Sequence, residues 1–219
     1  MSSPSLKLYY FNLRARAEFI RLILAAAGRA WDDTRLDFTH ITLFLNCPQW
    51  AEYKPKMLLG QVPVLEFADG TQLPQSFAIA RYIGRETGLA GENDLESAKI
   101  DAVVDTQWDM NDLFLNRCIF EKNEDKKAQE LEKFLDNDLT VHIEKLMKLK
   151  KAYSSNSSYF VGNNLSWADL YVYQSMDRVI RAAPQVKNKL DENFKEVFDA
   201  IENNPGIRKY LKERPDTPF

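Results

Sequence analysis

Apolar and polar positions along the chain fall into two regimes. Up to Thr87, short strand-like runs alternate with helical stripes; beyond it, helical stripes alone recur. Leu6 to Phe11, LKLYYF, is rich in aromatic strand formers and too short for a helix. Phe19, Ile20, Ile23, Leu24 and Ala27 lie three or four residues apart or side by side, which predicts a helix over 17–27 that stops at Gly28. WDDTRLDF is a candidate second strand. QVPVLEFADGTQL predicts two short strands joined at Asp69-Gly70, a pair that tolerates the positive φ of a tight hairpin. SFAIARYIGRETG then predicts a helix ended by Gly88.

GLAGENDLE, at 88–96, interrupts this order. It divides the chain into an α/β domain over 1–87, a linker over 88–95 and an all-helical domain over 96–219. Ile100, Val103, Val104 and Leu115 anchor a predicted helix over 97–120. Leu131, Phe134, Leu135, Leu139, Ile143, Leu146 and Leu149 form the core-facing stripe of another over 126–153. SSNSSYFVGNN reads as a polar loop, and Ser166 with Asp169 has the spacing of a capping box for the next helix. No internal repeat is visible. The βαβ then ββα order of the first part resembles the split sheet of a thioredoxin-like domain, with a right-handed crossover expected between the first two strands. The fold class is therefore an α/β thioredoxin-like N-terminal domain followed by an all-α helical C-terminal domain.

Composition narrows the function mainly by exclusion. The 29 basic and 32 acidic residues are spread along the chain and leave a net charge of -3, so no basic block points to nucleic acid. Cys47 and Cys118 provide no disulfide framework and suit a reducing compartment. His40 and His142 stand apart from ligand-like neighbours, so no metal site is expected. No apolar run approaches the ~18 residues of a membrane span, and MSSPSLK has no apolar targeting core. A soluble cytoplasmic protein without a membrane partner is expected.

Three places concentrate candidate chemistry. Pro63 cannot donate to a sheet ladder, so it belongs at a strand's first position or in a turn, with a trans or a cis bond to Val62. A cis bond would expose the Val62 main chain to an incoming peptide that pairs as a short added strand. Gln75-Ser76 opens a helix, where Ser76 serves as a plain cap or the free amides receive a ligand carboxylate. Asp101, Asp105 and Asp109 recur every four residues on one helix face, either as a solvated acidic face or as one awaiting a cation from a partner subunit or a ligand ammonium.

LYYFNLRARAEFIRLILA, GQVPVLE, PQSFAIARYIG, IDAVVDT and FVGNNLSWADLY, in this order, resemble the motifs of cytosolic glutathione transferases, most nearly the sigma class. The resemblance runs from Leu6 to the tail KYLKERPDTPF. It implies glutathione as co-substrate, a homodimer, and detoxifying conjugation of hydrophobic electrophiles. The family's catalytic tyrosine falls on Tyr10; Tyr9 stands where relatives often carry a smaller residue, and strand alternation turns the two rings opposite ways. Arg16 matches the arginine that adds positive charge near the sulfur. Trp50 and Lys54 match the pair at the glycyl end, Gln61, Val62 and Pro63 the stretch that meets the cysteinyl part, and Gln75 and Ser76 the γ-glutamyl carboxylate site. Asp109 matches an aspartate that reaches from the other subunit towards the γ-glutamyl ammonium.

The electrophile site implied by the family lies between the two domains and is lined by Phe11, Leu13, Ala15, Arg16, Trp108 and Met110. Ala15 replaces a frequent glycine and narrows its floor. Trp108 replaces the aspartate that helps prostaglandin-forming relatives hold a metal at the dimer interface, which argues against metal activation here. DFTHITLFLNCPQW is longer than in relatives, and Ile41, Leu43, Phe44 and Leu45 make it apolar. Two rivals to conjugation remain: glutathione-dependent prostaglandin isomerisation or lipid hydroperoxide reduction, and a structural or carrier protein of the kind found in cephalopod lenses.

Overall fold

The computed structural model describes residues 6–37 and 47–217. The apolar segment over 38–46, with His40, lies outside the described residues. Two compact units emerge. One comprises Met1–Thr87 with Asn204–Phe219, the other Gly88–Asn203.

In the first unit, β1 (Leu6–Phe11), β2 (Asp32–Leu36), β3 (Val64–Phe67) and β4 (Gln72–Pro74) form one sheet in the order β2-β1-β3-β4. β1 and β2 run parallel, with Tyr10 beside Arg35; β3 and β4 complete the sheet antiparallel. Alternation along β1 is clean: Leu6, Leu8 and Tyr10 are buried, Lys7 is exposed, and Tyr9 and Phe11 are half-buried. The hairpin between β3 and β4 turns at Gly70, φ +85°, with the Thr71 amide donating to Asp69 Oδ1 at 2.9 Å.

α1 (Ala15–Ala26) follows β1 and is buried continuously from Ala17 to Ala25, consistent with its nearly unbroken apolar sequence. α2 (Pro48–Tyr53) precedes β3, and α3 (Ser76–Thr87) packs on α1. The last helix, α9 (Pro205–Glu213), also packs on α1. Gly206 permits that approach, because a Cβ there would sit 1.9 Å from the Ala25 carbonyl oxygen. The segment from Asn204, expected to end the helical domain over 96–219, groups with the first compact unit through contacts too distant in sequence for periodicity to register.

The second unit contains α4 (Asp94–Phe114), α5 (Glu124–Lys133), α6 (Leu139–Tyr153), α7 (Trp167–Ala182) and α8 (Lys187–Asn203). α4 starts inside the expected 88–95 linker because Asn93 caps it, its side chain accepting from the Glu96 amide at 3.0 Å. The two long helices expected over 97–120 and 126–153 carry π-helical turns at Leu115–Ile119 and Phe134–Asp138. At the start of α7 the expected capping box is built around Asp169, whose carboxylate accepts from the Ser166 amide, the Ser166 hydroxyl and the Phe160 amide, each at 2.7 Å. Among the described residues no helix is long and apolar enough to cross a membrane.

His142 of α6 is a buried titratable group whose burial works against this unit at low pH. Its Nε2 lies 3.1 Å from Gln107 Oε1, an atom that only accepts, so Nε2 carries the proton. Burial, reinforced by Lys145, pulls the imidazole down to about 4. A folded value below the unfolded ~6.5 means the contribution to stability is complete above pH ~6.5 and is lost as pH falls towards 4. Asp169, raised by burial to about 6, acts in the opposite sense over the same range, so the His142 contribution is read as a difference: between pH ~6.5 and ~4 the urea midpoint of the parent should fall relative to that of His142→Gln. Parallel profiles in parent and variant would remove His142 as a contributor.

Candidate active site

One end of the sheet is bounded by irregular backbone. β1 stops at Phe11, and Asn12 to Arg14 turn the chain into α1. β3 is entered through a cis Val62-Pro63 bond, resolving the alternative that the sequence left open. β4 leaves through Gln75 into α3. Carrying the antiparallel registers one residue beyond Tyr9↔Val64 and Val64↔Pro74 sets Tyr10, Pro63 and Gln75 in line across the three strands.

Two features distinguish this end. First, α1 and α3 both begin here, and each helix start carries free amides and roughly half an elementary positive charge. Second, among the described residues the non-glycine positions with positive φ are Ala15, at +31°, and Gln75, at +76°, each next to one of these helix starts. Strained backbone of this kind costs on the order of 1–3 kcal/mol and persists where function or surrounding structure requires it.

The two tyrosines have unlike surroundings. The Tyr9 hydroxyl donates to Glu66 Oε1 at 3.1 Å, and burial first, then Glu66, pushes its pKa up to about 12. That group is committed to a carboxylate and is poorly suited to stabilising an anion. Tyr10 is buried on the opposite face, and its hydroxyl oxygen accepts the Arg16 amide at 3.3 Å. Arg16 thus meets Tyr10 through its main chain, and the residue itself is exposed.

Trp50 lies within α2, and its ring meets Phe11 edge-on at 5.4 Å. Phe11 also stands 5.7 Å from the Tyr10 ring, so it lies between Trp50 and Tyr10. Lys54 is exposed in a short 3-10 turn, Gln61 and Gln75 are exposed, Val62 and Ser76 are half-buried, and Pro63 is buried. Leu13 is buried and Ala15 half-buried. Trp108, Asp109 and Met110 belong to α4 in the other unit, where Trp108 is half-buried, Asp109 exposed and Met110 buried. Asp105 is exposed beside them, with Asp101 half-buried.

The ionic cluster beneath Tyr10 is the feature whose role the sequence left undefined. Arg21 is 0% and Glu18 1% exposed. Arg21 donates from Nη1 to the Leu13 carbonyl at 2.8 Å and from Nε to Asp33 Oδ1 at 3.0 Å. Asp33 also accepts from Arg35 at 2.7 Å. Glu18 accepts from Arg214 at 2.6 Å and from the Tyr210 hydroxyl at 3.0 Å, so the C-terminal helix closes on α1 through one carboxylate. Burial works against the Arg21 charge, but Asp33, Tyr210 and Glu18 outweigh it and keep the guanidinium protonated. The available signal was a Glu and an Arg three residues apart on an otherwise apolar helix.

Residues 5–85 match the family model described as the glutathione S-transferase N-terminal domain, and residues 108–214 match that of the C-terminal domain. The chain is 36% identical to the hematopoietic prostaglandin D synthase of Gallus gallus, over 98% of both chains. It is also 36% identical to the probable glutathione S-transferase 6 of Caenorhabditis elegans, over 97% of this chain and 98% of that one. The solved sigma class glutathione transferase of Fasciola hepatica superposes with a TM-score of 0.81 at 26% identity, covering 100% of both chains.

Proposed function

This chain belongs to the glutathione S-transferase family, and from that membership we propose that Tyr10 activates the glutathione thiol for attack on hydrophobic electrophiles. Glutathione is the co-substrate of this family. The observation that carries the assignment to Tyr10 is the hydrogen bond from the Arg16 amide to its hydroxyl oxygen, set against the commitment of Tyr9 to Glu66. An amide occupying one lone pair polarises the O–H and strengthens it as a donor to a sulfur anion. A free thiol, with pKa ~8.5, is only a few per cent thiolate at neutral pH. A hydroxyl donated to sulfur favours the charged form; lowering the pKa by ~2 units is worth roughly 2.7 kcal/mol. The thiolate then forms a carbon–sulfur bond with the electrophile, whose leaving group departs with its electron pair. Arg16 supplies the amide to Tyr10 and cationic charge nearby.

The remaining contacts distribute along glutathione. Lys54 and Trp50 hold the glycyl end, where an ammonium suits the carboxylate. The main chain at Gln61, Val62 and Pro63 meets the cysteinyl part. Gln75 and Ser76 hold the γ-glutamyl carboxylate at the start of α3. Asp109 meets the γ-glutamyl ammonium from the partner of a cytoplasmic homodimer. Phe11, Leu13, Ala15, Trp108 and Met110 are assigned to the electrophile.

The protein should be retained on immobilised glutathione and should accelerate conjugation of an aryl halide; failure of both would end the transferase reading. Gln75→Gly removes the side-chain contact while relieving the positive φ. It should raise KM for glutathione about tenfold, the worth of a hydrogen bond to a charged group, with folding stability unchanged or up by as much as ~1 kcal/mol. An unchanged KM would remove Gln75 from the site. The 36% identity to a hematopoietic prostaglandin D synthase favours prostaglandin isomerisation as a second reading, which product analysis with an endoperoxide separates from conjugation.

A further inference from the structure

We infer that Arg21 is a positioning residue for the thiol-activating centre, clamping the loop and the ring that together present the Tyr10 hydroxyl. This rests on the transferase reading above. Arg21 is fully buried on α1, yet two of its contacts are directed at the active-site end rather than along its own helix. Nη1 donates to the carbonyl of Leu13, in the turn that joins β1 to α1. The guanidinium carbon stands 5.9 Å from the centroid of the Tyr10 ring. The turn runs on through Ala15, at φ +31°, to the Arg16 amide that bonds the Tyr10 hydroxyl. One planar cation therefore touches both sides of that hydrogen bond: the ring that carries the oxygen and the turn that carries the amide.

The chemistry of the clamp suits arginine specifically. A guanidinium offers several donors fixed in a plane, so holding Leu13 O with Nη1 also fixes Nε on Asp33. Asp33, on β2, is held in turn by Arg35, so the clamp is referenced to the sheet. Nη2 is buried without a hydrogen-bond acceptor among the described residues. An arginine retained for ion pairing alone has no reason to leave that donor unmatched, whereas an electron-rich ring beside the guanidinium rewards it electrostatically. The positive charge below the ring also draws density from the phenol, which sharpens its O–H as a donor to sulfur.

The separation of roles gives the test its form. The groups assigned to holding glutathione lie on α2, the turn at Lys54, the β3 entry, the start of α3 and the partner's α4, and none is among the Arg21 contacts described above. Arg21→Met should lower kcat for conjugation about 10- to 100-fold, the scale of a small displacement of a reacting group. KM for glutathione should stay within about threefold. The acidic limb of the pH profile of kcat/KM should move up by about one pH unit as the thiol is less well stabilised. Arg21→Lys keeps the charge but cannot hold Leu13 O and Asp33 in one plane, so it should retain the parent's pH profile while kcat falls several-fold.

If Arg21→Met does not fold, Arg21→Lys decides alone: a parent-like kcat in that variant overturns the proposal. If both fold, a parent-like kcat and pH profile in Arg21→Met overturns it. A rise in KM with kcat kept also overturns it, by making Arg21 a binding-site support. A parent protein without conjugating activity would instead defeat the transferase reading on which the clamp rests.

Discussion

Tyr10→Phe should lose conjugation rate by about ten- to a thousand-fold while keeping most of its affinity for glutathione. The substitution removes one hydroxyl and no ring, so the packing of Tyr10 with Leu6 and Leu8 on the buried face of β1 is retained. What it removes is a donor whose value appears only once sulfur is charged, and loss of one such donor costs about 10²–10³ in kcat in the best-studied case. The loss should thus fall on kcat and kcat/KM together. Tyr9→Phe is the control. It deletes the hydrogen bond to Glu66 on the opposite face and should cost about 1 kcal/mol of stability with kcat near that of the parent. Equal losses of rate in the two variants would sink the assignment to Tyr10.

Glu18→Ala should be the most damaging single change to folding among the ionic residues, at about 3–5 kcal/mol. Glu18 is 1% exposed and receives Arg214, Tyr210 and, at 3.4 Å, Arg21. Removing it leaves a buried guanidinium short of charge and a buried phenol short of an acceptor, and it removes the polar contacts of Tyr210 and Arg214 to α1. Glu18→Gln keeps an acceptor oxygen without the charge and should lose roughly half as much. Urea unfolding followed by circular dichroism measures both. A loss below about 1 kcal/mol for Glu18→Ala would mean that the cluster is no better than the hydrophobic packing that could replace it.

Local patterns were legible in proportion to how local their causes are. β1, α1, the β3-β4 hairpin and α3 follow from alternation, helical spacing and turn residues within a dozen positions. The capping box at Ser166 and Asp169 was equally readable, since its donors and acceptor lie three residues apart. The cis geometry before Pro63 was one of two options that a proline before a strand admits. The clustering of Glu18 with Tyr210 and Arg214 was not readable, because the contacts span 192 and 196 residues. The same distance hid the return of α9 to the first unit. The π-helical turns also left no mark, since an extra residue in a helical turn barely disturbs an amphipathic stripe.

The site shows the same division. Tyr10, Lys54, Gln75 and Ser76 were named from motifs, and the strand registers line Tyr10 up with Gln75 through Pro63. The use of Arg16 through its amide was beyond the sequence, because a residue type advertises its side chain and not its main chain. The positive φ at Ala15 and Gln75 was hidden as well, since neither residue type signals it. Arg21 was visible as a charge on an apolar helix, but its reach to Leu13 and to the Tyr10 ring required three dimensions.

The most direct measurement is the pH titration of the glutathione thiol in its complex with the protein, followed by the ultraviolet absorbance of the thiolate. In the parent the bound thiol should titrate about two units below its ordinary ~8.5, and in Tyr10→Phe it should return close to that value. The same depressed value in both proteins, or its loss in Tyr9→Phe instead, would contradict activation of the thiol by Tyr10.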